Sequence, residues 1–198
     1  MSSEGKGKYV GHPIVILGGS SSVGQNGKLQ PKIKGAYLYN FNHSAIQLAK
    51  LSGFSFVITT ASLKHTEYLK SLGATHVIDR SVSASALASE INTITQNMPI
   101  KYAVDSISSP DTQQAAYDLL ASDGQLAIFS PVSAKTTQEK QIIPVFSLIR
   151  QPPNVELLQT LYHDNFERLL KEGAIQVSPA AKVLSAHVDQ LNIIAKPS

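Results

Sequence analysis

Seven residues, Gly18-Gly19-Ser20-Ser21-Ser22-Val23-Gly24, have the composition of a turn that could hold a phosphate. They follow directly on the apolar run 14–17, which reads as a short buried strand. A sharp turn after a strand directs backbone N–H groups outward, and the positive end of a following helix adds to their attraction for an anion. Gly18 and Gly24 allow tight turning and close helix packing, Ser20, Ser21 and Ser22 add hydroxyl donors, and Val23 anchors the helix start. A glycine–serine loop by itself is most often only a loop. Its position at the head of an alternating chain is what makes it a candidate site.

That alternation runs through most of the sequence. After the strand at 14–17 come a helical spacing at 45–51, ending at Ser52-Gly53, and a β-branched, aromatic run at 54–61. An amphipathic stretch at 64–72 stops at Gly73, and 75–79 reads as strand. Residues 84–95 place Leu87, Ile91 and Ile94 on one helical stripe, and 101–107 reads as the next strand. Pro110-Asp111 opens a helix through Leu120, where a first-turn proline suits the missing donor. Strands follow at 125–129 and, interrupted by Pro144, at 142–149; the longest helical pattern spans 154–172. Strand–helix alternation with short turns implies parallel pairing through right-handed crossovers. The expectation is an α/β, doubly wound, mainly parallel Rossmann-type sheet of about six strands with helices on both faces.

In such a sheet the residues after the second strand meet the ribose of a bound nucleotide, and folds that bind NAD place an acid there. Here the stretch is Thr59-Thr60-Ala61-Ser62-Leu63-Lys64, with no acid before Glu67. Hydroxyls and a lysine suit a 2′-phosphate, which an acid would repel. The pattern therefore points to NADP(H), with Ser62 and Lys64 as its contacts; the plainer alternative makes Ser62 a helix cap and Lys64 a solvated side chain.

Other chemistries find less support. The six histidines (His12, His43, His65, His76, His163 and His187) form no HExxH and no paired ligand spacing, and read as surface or packing residues. With no cysteine, disulfides and thiolate zinc sites are excluded. There is no G-x-S-x-G elbow, no P-loop lysine, and no tyrosine with a lysine four residues later. An α/β methyltransferase would also want an acid after the second strand. The net charge of +3 comes from Lys28, Lys32 and Lys34 in the acid-free stretch 27–44. The remainder is balanced, so no basic footprint for nucleic acid is expected. No run approaches the roughly 20 apolar residues of a membrane span, and no leader is visible, so a cytoplasmic protein is expected.

The stretches GGSSSVGQ, AIQLAKLSGF, TTASLKHTEYLKSLGATHVIDR and VDSISSPDTQQAAYDLLASDGQLAIF together resemble one family. It is the cofactor domain of zinc-independent medium-chain dehydrogenases/reductases, close to fungal trans-acting enoyl reductases and quinone-oxidoreductase-like proteins. The resemblance implies NADPH delivering a hydride to an activated double bond or carbonyl of a small-molecule substrate. It carries Gly18 to Gly24 to the pyrophosphate and Ser62 and Lys64 to the 2′-phosphate. Ile107 and Ser108 would lie near the adenosine or ribose, and Phe129, Ser130 and Pro131 near the nicotinamide. Such proteins begin with a GroES-like domain that completes the substrate cleft, so no catalytic acid is assigned. The matching expectations are a hinge remnant at 1–13, a cofactor domain at 14–175 and an irregular tail at 176–198. A non-catalytic NADP(H)-binding module or partner subunit is the alternative.

Residues 27–44 interrupt the match between the turn and its helix. Gly27-Lys28 and Ser44-Ala45 can be encoded with intron donor and acceptor sequences in frame, so the stretch reads as a translated intron or, alternatively, a surface insertion. Gly27, Pro31 and Gly35 are expected to prevent helix continuity across it.

Overall fold

The computed structural model describes residues 7–20, 34–145, 155 and 165–176. At its centre is β1 (Pro13–Leu17), all five of whose residues are buried. A strand covered on both faces must be apolar on both, and Pro-Ile-Val-Ile-Leu meets that need. β2 (Phe56–Ala61) lies on one side of it, followed outward by β3 (His76–Asp79); β4 (Tyr102–Asp105), β5 (Gln125–Ile128) and β6 (Gln141–Pro144) lie on the other. Every pairing is parallel in the order β3-β2-β1-β4-β5-β6. The order reverses between β2 and β4, on either side of β1, and this is the switch point of a doubly wound sheet.

Helices cover both faces, as the alternation of side chains along β1 requires. Ile14 and Ile16 face α1 (Lys34–Ser52) and α2 (Thr66–Leu72), packing with Ile46, Ala49, Leu69 and Leu72. Val15 and Leu17 face α3 (Ala84–Thr95) and α4 (Pro110–Leu119), packing with Leu87, Ile91, Ala116 and Tyr117. Ser83 caps α3 by accepting from the Ala86 amide, and Ser109 with Thr112 forms a reciprocal box at the start of α4. Pro144 ends β6 at the sheet's edge, the position where a strand tolerates proline.

Several boundaries depart from the sequence expectation, among them the strand expected at 142–149, which is β6 only as far as Pro144, with Val145 helical and 146–149 outside the described residues. A single α1 runs from Lys34 through Ser52, so its helical backbone includes Gly35 and continues through Ser44 into the expected helix at 45–51. Gly35 falls in the first turn, and it does not break continuity; Gly27 and Pro31 lie outside the described residues. β4 stops at Asp105 and not at Ile107, because the Asp105 carboxylate accepts from the amides of Ile107 and Ser108 (3.0 and 2.9 Å) and turns the chain. A 3₁₀ turn (Leu63–His65) precedes α2, which begins at Thr66. Of the helix expected at 154–172, the described part is helical at Val155 and in α5 (Phe166–Lys171). Gln47 of α1 hydrogen-bonds the backbone N–H and C=O of Gln176, tying the last described residue to the core.

Candidate nucleotide site at the carboxyl edge

The carboxyl ends of β1, β2 and β4 converge on Gly18. Its φ of +82° lies in the left-handed region that favours glycine. The Gly18 amide donates to Thr60 Oγ1 (3.0 Å) and the Gly19 amide to the Thr60 carbonyl (2.9 Å). Ser106 Oγ donates to the Leu17 carbonyl from the other side. The turn is thus tied to both neighbouring strands before it leaves the sheet. Gly19 leaves no spare room: a Cβ there would sit 2.2 Å from Thr59 Oγ1, which itself donates to the Ile16 carbonyl (2.8 Å). This close approach of backbone to β2 is the kind of cradle that a dinucleotide turn needs.

These bonds redistribute the roles assigned from sequence. The first two amides of the turn are committed to Thr60, so Gly18 shapes the turn and does not supply an anion donor. Ser20 is half-buried at the exit. Ser21, Ser22, Val23 and Gly24 lie outside the described residues. Thr59 and Thr60 are buried and engaged with β1 and the turn, so their hydroxyls are not presented to a ligand.

At the end of β2, Ser62 occupies the N-cap position of the 3₁₀ turn, yet its side chain makes no capping hydrogen bond. Lys64 is exposed and forms no ion pair among the described residues. Parallel pairing brings a second cation alongside. Ala61 is in register with Asp79, and the next residue, Arg80, donates its amide to the Ala61 carbonyl (3.0 Å) with its side chain exposed. Arg80 was missed by inspection of the sequence; its signal is its place as the first residue after the strand that pairs with β2. The acid beside it is held by its own loop: Asp79 Oδ1 accepts from the Ser81 hydroxyl (2.6 Å) and amide (2.8 Å), and these bonds, with the Arg80 charge, keep that carboxyl ionised and below its ordinary range.

On the far side of the switch point, Ser108, Phe129 and Ser130 are brought together. Ser108 is buried in a left-handed conformation (φ +54°), its hydroxyl donating to the Asp105 carbonyl (2.6 Å) and accepting from the Phe129 amide (2.9 Å). Ser130 Oγ donates to the Ser108 carbonyl (2.8 Å). Ile107 is half-buried beside them. Asp105 is fully buried, and burial pushes its carboxyl up despite the two amides it accepts from.

Comparison with known proteins places this arrangement in a family. The zinc-binding dehydrogenase family model matches residues 43–174, about two thirds of the chain. The chain belongs to the medium-chain dehydrogenase/reductase superfamily. Among curated relatives of this superfamily member, a trans-enoyl reductase of Aspergillus japonicus (himH) is 28% identical over 186 residues, covering 93% of this chain and 48% of that enzyme. The trans-enoyl reductase eqxC of Fusarium heterosporum is 30% identical over 132 residues, covering 66% of this chain and 31% of that enzyme. The chain thus spans about half the length, or less, of the curated relatives it matches. Its fold is also that of the Pseudomonas syringae quinone oxidoreductase (TM-score 0.62, 20% identity, 86% of this chain and 48% of that one). The mycobacterial protein Rv1454c, solved in complex with NADPH, is similar in fold too (TM-score 0.61, 20% identity, 91% of this chain and 54% of that one).

The family description names zinc. Among the described residues no group of three or more His, Cys, Asp or Glu is placed to hold a metal ion, and the chain has no cysteine. The described residues therefore do not fit a zinc centre. No helix of the described residues is long and apolar enough to cross a membrane.

Proposed function

We propose that this superfamily member binds NADP(H) across its carboxyl edge and serves as the cofactor-binding part of an oxidoreductase. The substrate class is a small molecule with an activated double bond or carbonyl. The observation that carries the cofactor choice is the end of β2, where Ser62 makes no capping hydrogen bond, Lys64 is exposed and Arg80 follows the paired strand, while the one acid in register, Asp79, is held by Ser81. A dianionic 2′-phosphate would be met there by two cations and a hydroxyl, whereas a bare 2′-hydroxyl would lack the carboxylate that usually accepts from it. The pyrophosphate would lie on the turn beyond Gly19, with Ser20, Ser21, Ser22, Val23 and Gly24 supplying amides and hydroxyls. The bound cofactor supplies a hydride; the protein's part is to fix the adenosine end at β2 and the second mononucleotide over β4 and β5.

The reduction itself is inferred from the trans-enoyl reductases and the quinone oxidoreductase among its relatives and neighbours. Side-by-side fluorescence titration of the chain with NADPH and NADH tests the reading. One charge-assisted contact to the phosphate amounts to about 1.5 kcal/mol, so NADPH is expected to bind at least about tenfold more tightly. Equal or tighter binding of NADH would overturn the cofactor assignment. NADPH binding combined with an absence of hydride transfer in any assembly containing the chain would favour the binding-module alternative.

A further inference from the structure

One buried side chain of α4 hydrogen-bonds both loops of the second half-site. Gln113, on the first turns of α4, is fully buried. Its Nε2 lies 2.8 Å from Ser130 Oγ, 3.1 Å from the Pro131 carbonyl and 3.2 Å from the Ser108 carbonyl. Its Oε1 accepts from the Ser133 amide at 2.8 Å. The amide orientation is dictated by its partners, because a flipped group would set NH₂ against the Ser133 N–H and oxygen against two carbonyls. Ser130 gives its own proton to the Ser108 carbonyl, so its oxygen is available to accept from Gln113. One side chain therefore bonds the backbone of the loop after β4 at Ser108 and the loop after β5 at Ser130, Pro131 and Ser133.

We propose that Gln113 is a positioning residue for the second mononucleotide: its buried amide sets the loop 129–133 against the loop 106–109, and so sets the wall over which that half of the dinucleotide lies. The inference rests on the NADP(H) reading above. Because the 2′ position of the adenosine belongs at β2, the other mononucleotide must lie on the β4–β5 side of the switch point. An apolar replacement takes the Ser133 amide's partner and leaves Ser130 alone to bridge the Ser108 and Pro131 carbonyls, and the cheapest relief is for the exposed loop to move outward toward water.

The test compares NADPH with 2′,5′-ADP, which carries only the adenosine end, on the full chain and on Gln113→Leu. NADPH affinity should fall about tenfold or more while 2′,5′-ADP stays within about twofold, since only the distal half is displaced. Amide exchange, read on the ligand-free proteins, should rise about tenfold or more across 129–133 and 106–109, with 18–20 unchanged. Equal weakening of both ligands, or unchanged NADPH affinity in a folded variant, would overturn the assignment. If Gln113→Leu does not fold, Ser130→Ala removes one arm from outside the helix and must show the same selective pattern. Should the wild-type chain bind neither ligand, the NADP(H) reading fails, and the exchange comparison still decides whether Gln113 holds the loops.

Discussion

Substitution of Gly19 by alanine tests whether the turn is held as tightly against β2 as its geometry implies. The added Cβ would lie 2.2 Å from Thr59 Oγ1 and 3.2 Å from the Thr59 Cβ and Cγ2. Thr59 is completely buried, and its hydroxyl already donates to the Ile16 carbonyl. It can move aside only by giving up that bond inside a packed sheet. Overpacking a buried site costs about 1–3 kcal/mol, and a buried group deprived of its partner adds roughly 1–3 kcal/mol, so a net loss of about 2–6 kcal/mol is expected. For a chain of this size, that is a fall in Tm of roughly 5–25 °C, read by circular dichroism or calorimetry. The clash has one named partner, so Thr59→Ala should relieve it. The double variant is expected to be more stable than the sum of the single effects predicts by about 2 kcal/mol. A Gly19→Ala protein within about 0.5 kcal/mol of wild type, a change within ordinary surface variation, would refute the reasoning. Additive effects in the double variant would refute it as well.

Ser108→Ala removes the bonds to Asp105 and Phe129 but keeps the left-handed backbone, whereas Ser108→Gly removes both the bonds and the strain. In urea unfolding the glycine variant should be about 1 kcal/mol more stable than the alanine variant. His43 is buried edge-on against Tyr68 (5.1 Å between centroids), and burial, with the charge of His65 second, lowers its pKa from 6.5 to about 4. The unfolded chain takes up a proton on His43 below pH 6.5 and the folded chain does not until about 4. Stability should therefore fall as pH drops through that window, by up to about 2–3 kcal/mol, and His43→Phe should remove that part of the slope. Deleting residues 27–44 joins the turn directly to AIQLAK at the cost of the first part of α1, and if the stretch is an interruption NADPH binding should tighten; equal affinity with and without it, by fluorescence titration, would count against that reading.

The fold was legible because its determinants are local and redundant. The uninterrupted apolar run of β1 is what a strand buried on both faces requires, and Leu87, Ile91 and Ile94 repeat at the helical period. What was not legible depends on side chains acting at a distance. The end of β4 is set by the carboxylate of Asp105 folding back on two amides, which no periodicity reports. Thr59 and Thr60 look like ligand hydroxyls in sequence, yet parallel pairing with β1 turns one to the Ile16 carbonyl and the other to the Gly18 amide. Gly18 lies in the turn, and its amide is taken by Thr60 Oγ1. Arg80 and Gln113 escaped notice because their importance lies in register and in loop-to-helix contacts between segments distant in sequence.

NADP(H) binding as proposed seats a 2′-phosphate at the end of β2, and phosphorus-31 NMR of NADPH bound to the chain observes that group directly. A free phosphate monoester takes up its second proton near pH 6. Beside Lys64 and Arg80 its dianion should be favoured, so the bound 2′-phosphate resonance should titrate below that value, and the shift should shrink in Lys64→Ala and Arg80→Ala. A bound 2′-phosphate that titrates as it does in free solution, or one indifferent to both substitutions, would contradict the account.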